Sequence, residues 1–347
     1  MWLRDLINFS EKIALIVHHA LPFPGFLIVI FLSWYETVYC LAHRLFPSET
    51  RAEETINQYI REHRLYDEQP KKPPKQGIGF ETARAIGLAG YTTILACRNL
   101  KRGQQAQREL QDATGLDSFV VMELDLSSFM SIERFAKQFM DEYSQLHLLV
   151  CNAGMAFSHY DTTYDGLESQ FGTNYVDMMK RSGGARITIA SSISACMIRH
   201  IDYSRVTDVW RFDRLINYST SKLALMVYSN ALARQLKDTD VTVNAFHPGF
   251  LYRNVAFSML PGIHEFRNWL WLDQKKGSVT SIYLALSPEL SGKSSGYYAR
   301  QQPAVMHPDA CNIKVQDRLC QFTEVLIATN THSQSVLDSI NSSRIVQ

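Results

Sequence analysis

The chain has 347 residues, of which 46% are hydrophobic and 20% are charged, and its formal net charge is +1. This length and composition are typical of one globular domain of about 250 to 300 residues with an extension. The near-neutral charge excludes the usual nucleic-acid binder, which carries a basic face or stripe. The six cysteines show no Cys-x-x-Cys pair, so we expect reduced thiols in a cytosolic environment and no metal site.

An apolar segment lies near the start of the chain. No formally charged residue occurs from Ile13 to Tyr35, and this stretch is long enough to cross a hydrocarbon core of about 30 Å. We therefore predict a membrane anchor or hairpin within residues 1–46. Pro22 and Pro24 interrupt its first half, so a buried globular helix and a strand stay open as alternative interpretations.

Residues 47–76 connect this segment to the main domain. Within 51–68, apolar residues recur at helical spacing among charged ones, which predicts a surface amphipathic helix. The proline- and lysine-rich run 70–75 then predicts a stiff linker. We assign 77–328 to the main domain and 329–347 to a flexible tail.

The main domain alternates short apolar runs, rich in β-branched and aromatic residues, with helical patterns. This alternation predicts an α/β fold with a doubly wound, Rossmann-type parallel sheet and a site at the carboxyl ends of its strands. Strands are predicted at 92–96, 119–124, 146–151, 186–190, 241–246 and 296–299. Helices are predicted at 80–88, 103–114, 130–143, 218–236, 276–286 and 315–327.

Tyr218 and Lys222 lie four positions apart in one of these helices, so one turn brings the two side chains together. A neighbouring ammonium stabilises a phenolate and lowers the pKa of the phenol from about 10. Tyr218 would then exchange a proton with a substrate hydroxyl or carbonyl. The same spacing arises by chance in many amphipathic helices, so other motifs must decide between the two interpretations.

Such motifs occur in the order found in the short-chain dehydrogenase/reductase family, which the chain resembles from about Gly77 to Ile327. Gly77-Ile78-Gly79 resembles the second half of the family's Thr-Gly-x-x-x-Gly-x-Gly turn. Asn152-Ala153-Gly154 and Pro248-Gly249 match the family's turns after two later strands. The resemblance implies a nicotinamide dinucleotide bound by Gly77, Ile78, Gly79, Arg98, Asn99, Asp125, Leu126, Asn152, Ala153, Gly154, Tyr218, Lys222, Pro248 and Gly249.

The choice of dinucleotide follows from the residues after the first predicted strand. Arg98 stands where the family reads the ribose, and an arginine there favours the 2′-phosphate of NADP(H) over NAD(H). A solvated arginine is the alternative interpretation. Asp125-Leu126 resembles the pair that contacts the adenine, whereas a plain helix N-cap is the alternative for Asp125.

The resemblance also implies four catalytic residues. Tyr218 would give or take the proton, Lys222 would hold the nicotinamide ribose and depress the pKa of Tyr218, and Asn174 would keep a water near the lysine. Ser192 would hydrogen-bond the substrate oxygen. Ser192 is assigned this role from its position after the predicted strand 186–190, and Ser191 remains the alternative.

Four stretches of sequence look most like the retinol dehydrogenase branch of this family: Ala96-Cys97-Arg98-Asn99, Leu146-His147-Leu148-Leu149-Val150, Asp165-Gly166-Leu167-Glu168 and Pro288-Glu289-Leu290. The resemblance implies a lipophilic alcohol or aldehyde, retinoid- or polyprenoid-like, as the substrate. It further implies a membrane-associated enzyme at the endoplasmic reticulum, with a cytosolic catalytic domain and a homodimer partner.

Two pieces of the expected fold are missing. Family members carry a central strand immediately before Gly77, but Pro73 and Pro74 occupy that place here, and proline cannot serve in a central strand. Each buried ladder group left unpaired costs about 1 to 3 kcal/mol, against a domain stability of about 5 to 15 kcal/mol. A stable sheet therefore requires that the two neighbouring strands pair directly or that another segment, such as residues 26–32, supplies the strand. Otherwise the domain would not fold. Residues 175–185 are also too few for a full helix with its crossover.

These gaps leave two functions open. One is an NADP-dependent oxidoreductase that uses Tyr218 as its acid and base. The other is a catalytically impaired, splice-variant-like relative, or a membrane-tethered protein that binds partners, because half of the phosphate-binding turn is absent. Tight binding of NADPH would exclude the second.

Overall fold

The computed structural model describes residues 77–156, 158–176, 186–249 and 274–344. The predicted anchor, amphipathic helix and linker lie outside these residues, as does most of the shortened stretch after Tyr175. None of the described helices is long and apolar enough to cross a membrane.

Helices and strands alternate through the described residues, as expected from the sequence. The strands are β1 (Thr93–Cys97), β2 (Phe119–Glu123), β3 (Leu148–Cys151), β4 (Arg186–Ala190), β5 (Thr242–His247), β6 (Gly296–Ala299) and β7 (Gln302–Pro303). The longer helices are α1 (Ile78–Leu88), α2 (Leu100–Thr114), α3 (Phe129–Glu142), α4 (Arg214–Gln235), α5 (Gln274–Leu286) and α6 (Ile313–Arg344).

The last helix is longer than the sequence interpretation allowed. It extends to Arg344, so residues 329–344, expected to be a flexible tail, are helical. The physical reason is that no proline or glycine follows Ile313 to end the helix.

Within the described residues, the parallel sheet is in two parts. β1 pairs with β2, while the other five strands form a second sheet in the order β3-β4-β5-β6-β7. All pairings are parallel except that of β6 with the short β7. The break lies between β1 and β3, which is where the sequence predicts that a strand is missing. The predicted α/β fold with a Rossmann-type parallel sheet is therefore confirmed, and the residues that would precede α1 lie outside the described part of the chain.

Helix α1 packs against both parts of the sheet. Ala83 lies in a small core with Leu110 and Phe119, on the side of β1 and β2. Leu88 packs on the core formed by Ala190, Phe246, Tyr283 and their neighbours, on the side of the larger sheet. The apolar face of one helix thus holds the two parts together.

Helix α4 is the centre of the main core. Its buried residues run from Asn217 to Ala233, including Leu223, Met226 and Val227. It packs against β4 and β5 on one side and α6 on the other, which explains why its sequence lacks a polar face. Because α4 cannot shift without disturbing this core, its first turns give the functional side chains a rigid support.

A glycine allows α2 to approach the small sheet, and its replacement tests this packing. A Cβ at position 103 would lie 2.4 Å from Cys97 Sγ and 2.8 Å from Val121 Cγ1. Overpacking of this kind costs about 1 to 3 kcal/mol, and the better helix propensity of alanine offsets roughly 1 kcal/mol. Gly103→Ala should therefore lower the free energy of unfolding by up to about 2 kcal/mol, measured by urea denaturation.

The control for this prediction is the neighbouring exposed residue, Gln104. Gln104→Ala places the same side chain on the same helix without a clash, so stability should change by less than about 0.5 kcal/mol. Equal stability of the two variants would show that α2 does not pack closely on β1 and β2.

Candidate active site

Tyr218 and Lys222 lie in the second and third turns of α4. The helix begins after Asp213, whose Oδ1 accepts hydrogen bonds from the backbone N–H groups of Leu215 (2.9 Å) and Ile216 (2.8 Å). This N-cap satisfies N–H groups that have no partner within the helix. Lys222 Nζ lies 5.8 Å from the centre of the Tyr218 ring, so the two side chains are neighbours, as the spacing predicts.

The ammonium of Lys222 is buried and held by the strand beneath it. Nζ donates a hydrogen bond of 2.8 Å to the carbonyl oxygen of Ala190, the last residue of β4. Only 5% of Lys222 is exposed, and burial lowers its pKa from 10.5 to about 8. The lysine is therefore still a cation at neutral pH, at the carboxyl end of the sheet.

The pKa of Tyr218 is shifted in the direction opposite to the sequence expectation. Burial raises the pKa of the phenol, and the hydrogen bond with Ser192 opposes that rise. The net shift of the Tyr218 pKa is therefore upward, where the sequence predicted a lowered pKa, because desolvation outweighs the interactions that lower it. Tyr218 is a neutral phenol at neutral pH and is ready to donate a proton.

Of the two serines after β4, Ser192 is the one beside Tyr218. It caps the short 3-10 helix Ile193–Met197, and its Oγ accepts from Ser194 N–H (3.2 Å) as well as bonding Tyr218. Ser191 has a different role, because its buried Oγ donates to the backbone carbonyl of Lys222 (2.7 Å) and fastens α4 to the sheet.

Asn174 is fully buried in the π-helical turn Gly172–Val176, a kind of turn that often occurs at functional sites. Its Oδ1 accepts from Met155 N–H (2.7 Å), and its Nδ2 donates to Met155 O (2.9 Å) and Ser221 Oγ (3.0 Å). These contacts fix the orientation of the carboxamide. They also join the turn after β3 to the first turns of α4.

The turn that carries Asn174 is itself held by the last helix. The next residue, Tyr175, is completely buried, and its hydroxyl makes a 3.0 Å hydrogen bond with Thr323 Oγ1 of α6. Its ring also meets the ring of Tyr228 on α4 edge to face, with the centroids 5.9 Å apart. Asn174 thus depends on contacts from two helices.

A side chain at position 154 would crowd the place where these groups meet. A Cβ there would lie 3.2 Å from Asn174 Oδ1 and 3.3 Å from Lys222 Nζ. Gly154 is itself exposed, so it leaves an open surface directly over the two side chains. A nicotinamide ribose could approach Lys222 and Asn174 over this surface.

The Gly77-Ile78-Gly79 motif lies at the start of α1. Gly77 is the N-cap and supplies no side chain to the first N–H groups, so the positive end of the helix dipole is open to an anion. A Cβ at position 79 would lie 2.8 Å from Asn152 Nδ2. The start of α1 and the turn Asn152-Ala153-Gly154 are therefore adjacent at the carboxyl edge of β3.

Four other predicted cofactor contacts follow strands β1 and β2. Arg98 is exposed and makes no ion pair within the described residues. Asn99 is the N-cap of α2, and its Oδ1 accepts from Arg102 N–H (3.0 Å). Asp125 accepts from the N–H (2.9 Å) and Oγ (2.6 Å) of Ser127, beside the half-buried Leu126. Asn99 and Asp125 thus shape their turns, while Arg98 is available for a ligand.

The turn Pro248-Gly249 follows β5 on the same edge of the sheet. Gly249 has φ +86°, a conformation that favours glycine. The preceding residue, His247, accepts a 3.4 Å hydrogen bond from Ile193 N–H, next to Ser192. The turn Pro248-Gly249 therefore lies beside Ser192 and Tyr218.

These features fit a nicotinamide dinucleotide. The N-terminus of α1 suits a pyrophosphate, the bare backbone at Gly154 leaves room over Lys222, and the predicted catalytic side chains lie together at one edge of the sheet. The residues before Gly77, which would complete the phosphate-binding turn, lie outside the described part of the chain.

The sequence interpretation missed two groups that support the site. Ser221 holds Asn174, and the Ala190 carbonyl holds Lys222. Ser221 could have been found from helical spacing, because it lies three residues after Tyr218 on the same helix. No sequence signal reveals a backbone acceptor such as Ala190 O, since every residue type has a carbonyl.

Comparisons with known proteins agree with this geometry. The sequence model of the family described as short chain dehydrogenase matches residues 74–258. Retinol dehydrogenase 14 of Homo sapiens is 30% identical over 280 residues, covering 72% of this chain and 83% of that protein. The WW domain-containing oxidoreductase of Homo sapiens is 32% identical over 282 residues, covering 75% of this chain and 67% of that protein.

One solved structure has a similar fold, and one relative is longer than this chain within the matched region. A crystal structure of an uncharacterized protein from Mycobacterium Paratuberculosis has a TM-score of 0.57 and 25% identity, covering 72% of this chain and 89% of that chain. The match to retinol dehydrogenase 14 runs over 280 residues but covers only 72% of these 347 residues. The relative therefore has residues within the matched stretch that this chain lacks.

The buried lysine leads to a prediction about stability and pH. The pKa of Lys222 falls from 10.5 to about 8 on folding, so the cost of burying its charge, about 3 kcal/mol, is fully present below pH 8 and disappears as the pH rises toward 10.5. Lys222→Met removes that cost but leaves the Ala190 carbonyl without its donor, which costs roughly 1 kcal/mol.

Lys222→Met should therefore be more stable than the parent protein by about 2 kcal/mol at pH 6 to 7, and above pH 10.5 it should be less stable by roughly 1 kcal/mol, because only the lost hydrogen bond then remains. Thermal unfolding over this pH range measures it. Lys237→Met, at an exposed position after α4, is the control and should show no such trend. A stability gain that is independent of pH would contradict the buried cation.

Proposed function

The chain belongs to the short-chain dehydrogenase/reductase family, in its retinol dehydrogenase-like branch, and we propose that it is an NADP-dependent oxidoreductase for a lipophilic alcohol and its aldehyde or ketone. The observation that carries this proposal is the convergence of four side chains. Tyr218 bonds Ser192, Lys222 lies against the Tyr218 ring, and Asn174 lies with Lys222 around Gly154. Each is held by a hydrogen bond to the backbone or to another buried group.

The chemistry divides between the cofactor and these side chains. Bound NADP(H) supplies or accepts the hydride. Ser192 Oγ and the Tyr218 hydroxyl hold the substrate oxygen between them. In the direction of reduction, the neutral Tyr218 donates its proton to that oxygen, and in the direction of oxidation its phenolate takes the proton back.

Lys222 supports this proton transfer electrostatically. It is a cation at neutral pH in a buried position, where a charge acts more strongly than in water. The ammonium stabilises the phenolate that Tyr218 becomes after it has given up its proton. Asn174, fixed by Met155 and Ser221, presents a rigid polar group beside the lysine for the relay of protons.

The lipophilic substrate is inferred from a relative and from one cavity. A relative with 31% identity over 255 residues is named retinol dehydrogenase 12, from Mus musculus, and retinol is an apolar alcohol. An open cavity of about 500 Å³ is lined by Tyr160, Phe212, Asp213, Arg214 and Leu215. Because Leu215 lies one helical turn before Tyr218, an apolar chain in this cavity could present its oxygen to the phenol.

Three further parts of the proposal come from the sequence alone. They are contact with a membrane, location at the endoplasmic reticulum and formation of a homodimer. Residues 1–46, on which the first two depend, lie outside the described part of the chain, and so do 177–185, where the shortened helix would contribute to a dimer face.

A second candidate function is supported by the divided sheet. The break between β1 and β3 lies beside the phosphate-binding turn, so a chain that cannot close it would bind no dinucleotide. Such a protein would be a non-catalytic relative that acts by binding partners. Titration with NADPH, followed by intrinsic fluorescence, separates the two functions, because micromolar binding excludes the second.

The role of Tyr218 is tested by removing its hydroxyl. Tyr218→Phe keeps the ring and its packing but removes the proton donor, so turnover of a lipophilic aldehyde with NADPH should fall by about 100- to 10,000-fold. NADPH affinity should change little. The measurements are steady-state kinetics and fluorescence titration.

Tyr203→Phe is the matched control for this variant. The Tyr203 hydroxyl is buried without a hydrogen-bond partner among the described residues, and its ring packs on Phe322 of α6. The same chemical change there should leave turnover intact. Normal turnover in Tyr218→Phe would remove Tyr218 from the catalytic role.

The preference for NADP(H) is tested at Arg98. Arg98→Asp places a carboxylate where the 2′-phosphate is expected, so affinity for NADPH relative to NADH should fall by about 100-fold, or about 2.7 kcal/mol. Arg108→Asp, at an exposed position further along α2, makes the same charge change and should leave the ratio unchanged. An unchanged ratio in Arg98→Asp would mean that Arg98 is only a solvated surface residue.

A further inference from the structure

The open cavity at the start of α4 has apolar walls. It holds about 500 Å³ and is lined by Tyr160 and Phe212, whose rings meet edge to face with their centroids 5.3 Å apart, and by Leu215. Phe212 and Leu215 are half-buried, and Tyr160 is 40% exposed. These side chains offer an apolar chain a surface to pack against, which agrees with a lipophilic substrate.

The same cavity carries a cation. Arg214 lines it and is exposed, and its guanidinium makes no ion pair within the part of the chain that the structure describes. The two arginines that precede it differ in this respect, because Arg205 pairs with Asp202 (3.4 Å) and Arg211 pairs with Asp208 (3.6 Å). The charge of Arg214 is therefore available for a ligand.

The position of Arg214 in α4 also indicates a role outside the fold. It is the first residue of the helix after the N-cap Asp213, and the first turn contains no acidic residue. The positive end of the helix dipole disfavours a cation at this place, so the arginine costs stability where it lies. Residues that are unfavourable for the fold are often kept because function requires them.

The backbone of Arg214 is held in place beside the catalytic residues. The fully buried Gln170 donates a hydrogen bond of 3.4 Å from Nε2 to the carbonyl oxygen of Arg214. Gln170 belongs to the short helix Ser169–Phe171, which leads directly into the turn of Asn174. The start of α4 and the Asn174 turn are therefore fixed relative to each other.

The spacing along α4 sets the length of a ligand that reaches both ends of the site. Arg214 and Tyr218 lie four positions apart and share one face of the helix, with their Cα atoms about 6 Å apart along its axis. A ligand with one oxygen at the Tyr218 hydroxyl and a charged end at the guanidinium must span at least this distance. A chain of several carbon atoms packed on the cavity walls does so.

The charges around the cavity favour a carboxylate as the charged end. Arginine presents its N–H groups in a fork that matches the oxygens of a carboxylate or of a phosphate. The other charged residue of the cavity is Asp213, whose Oδ1 accepts from the N–H groups of Leu215 and Ile216. Its negative charge opposes the second charge of a phosphate, so a single negative charge fits better.

We propose that the substrate is amphipathic, a lipophilic aldehyde or alcohol with a carboxylate at the end remote from the reacting carbon, and this assignment rests on the proposed function. Arg214 binds the carboxylate, the cavity takes the chain, and the reacting oxygen lies at Tyr218. A wholly apolar substrate of the same length covers the guanidinium without pairing it, which is unfavourable. Arg214 therefore determines specificity.

Two substrates that differ only at the far end test this assignment. The detergent-solubilised full chain reduces, with NADPH, either octanal or its ω-carboxylate analogue, in which a carboxylate replaces the terminal methyl group. We expect the higher kcat/KM for the carboxylate substrate. Arg214→Gln should lower the ratio of the two kcat/KM values by about 10-fold. Arg214→Lys keeps the charge without the fork and should lower the ratio less.

Arg211→Gln is the matched control for this test. It removes the same charge three residues earlier, from an arginine that is already paired with aspartates, and should leave the ratio unchanged. Thermal unfolding checks the fold, and the melting temperature of Arg214→Gln should not fall, because the helix dipole disfavours the cation. An unchanged ratio in Arg214→Gln, or an equal loss in Arg211→Gln, would overturn the proposal.

Binding of unreactive ligands separates this proposal from the proposed function. Octanoate and acetate are titrated by calorimetry into the parent protein, Arg214→Gln and Arg211→Gln, all in the same detergent. We expect only Arg214→Gln to weaken octanoate binding, by about 10-fold, and acetate to bind far more weakly because it lacks the chain.

The outcomes of this titration are distinct from those of the kinetics. The expected pattern without any turnover would support the carboxylate site and reject only the oxidoreductase activity. Equal binding of octanoate by all three proteins would overturn the proposal whether or not the enzyme is active. Acetate binding as tight as that of octanoate would also overturn it, since the apolar walls would then contribute nothing.

Discussion

The hydrogen bond from the buried Lys222 ammonium to the Ala190 carbonyl is the interaction on which the candidate site depends. It joins the helix that carries Tyr218 to the strand that is followed by Ser192. A buried cation without such an acceptor would be strongly unfavourable. The cation is nevertheless kept in a position where it costs stability, which is typical of a functional group and less typical of a structural one.

The arrangement around this interaction is redundant. Ser191 fastens α4 to the end of β4 from the other side, and Ser221 ties the same helix to the Asn174 turn. A small polar residue within a helix usually competes with the helical backbone. Ser221 Oγ does donate to the Tyr218 carbonyl of its own helix (2.8 Å), but it also accepts from Asn174, so the polar start of α4 has a structural reason as well as a chemical one.

Much of the fold and of the candidate site could be predicted from the sequence, for identifiable physical reasons. The strands and helices from β1 to β6 were predicted to within a few residues, because apolar periodicity decides both. The place of the break followed from Pro73 and Pro74. The direction of the pKa shift of Tyr218 could not be predicted, since it depends on how deeply the phenol is buried. The helical continuation of α6 to Arg344 was not predicted, although no proline or glycine follows Ile313 to end the helix.

The contact between Tyr175 and Thr323 has a consequence for how the protein is made. The turn that holds Asn174 is completed by a hydroxyl of the final helix, 148 positions later in the chain. During synthesis, the earlier strands and α4 leave the ribosome before that partner exists. The strands and their crossover helices can form in the order of synthesis, but the carboxamide beside Lys222 gains its full support only at the end of translation.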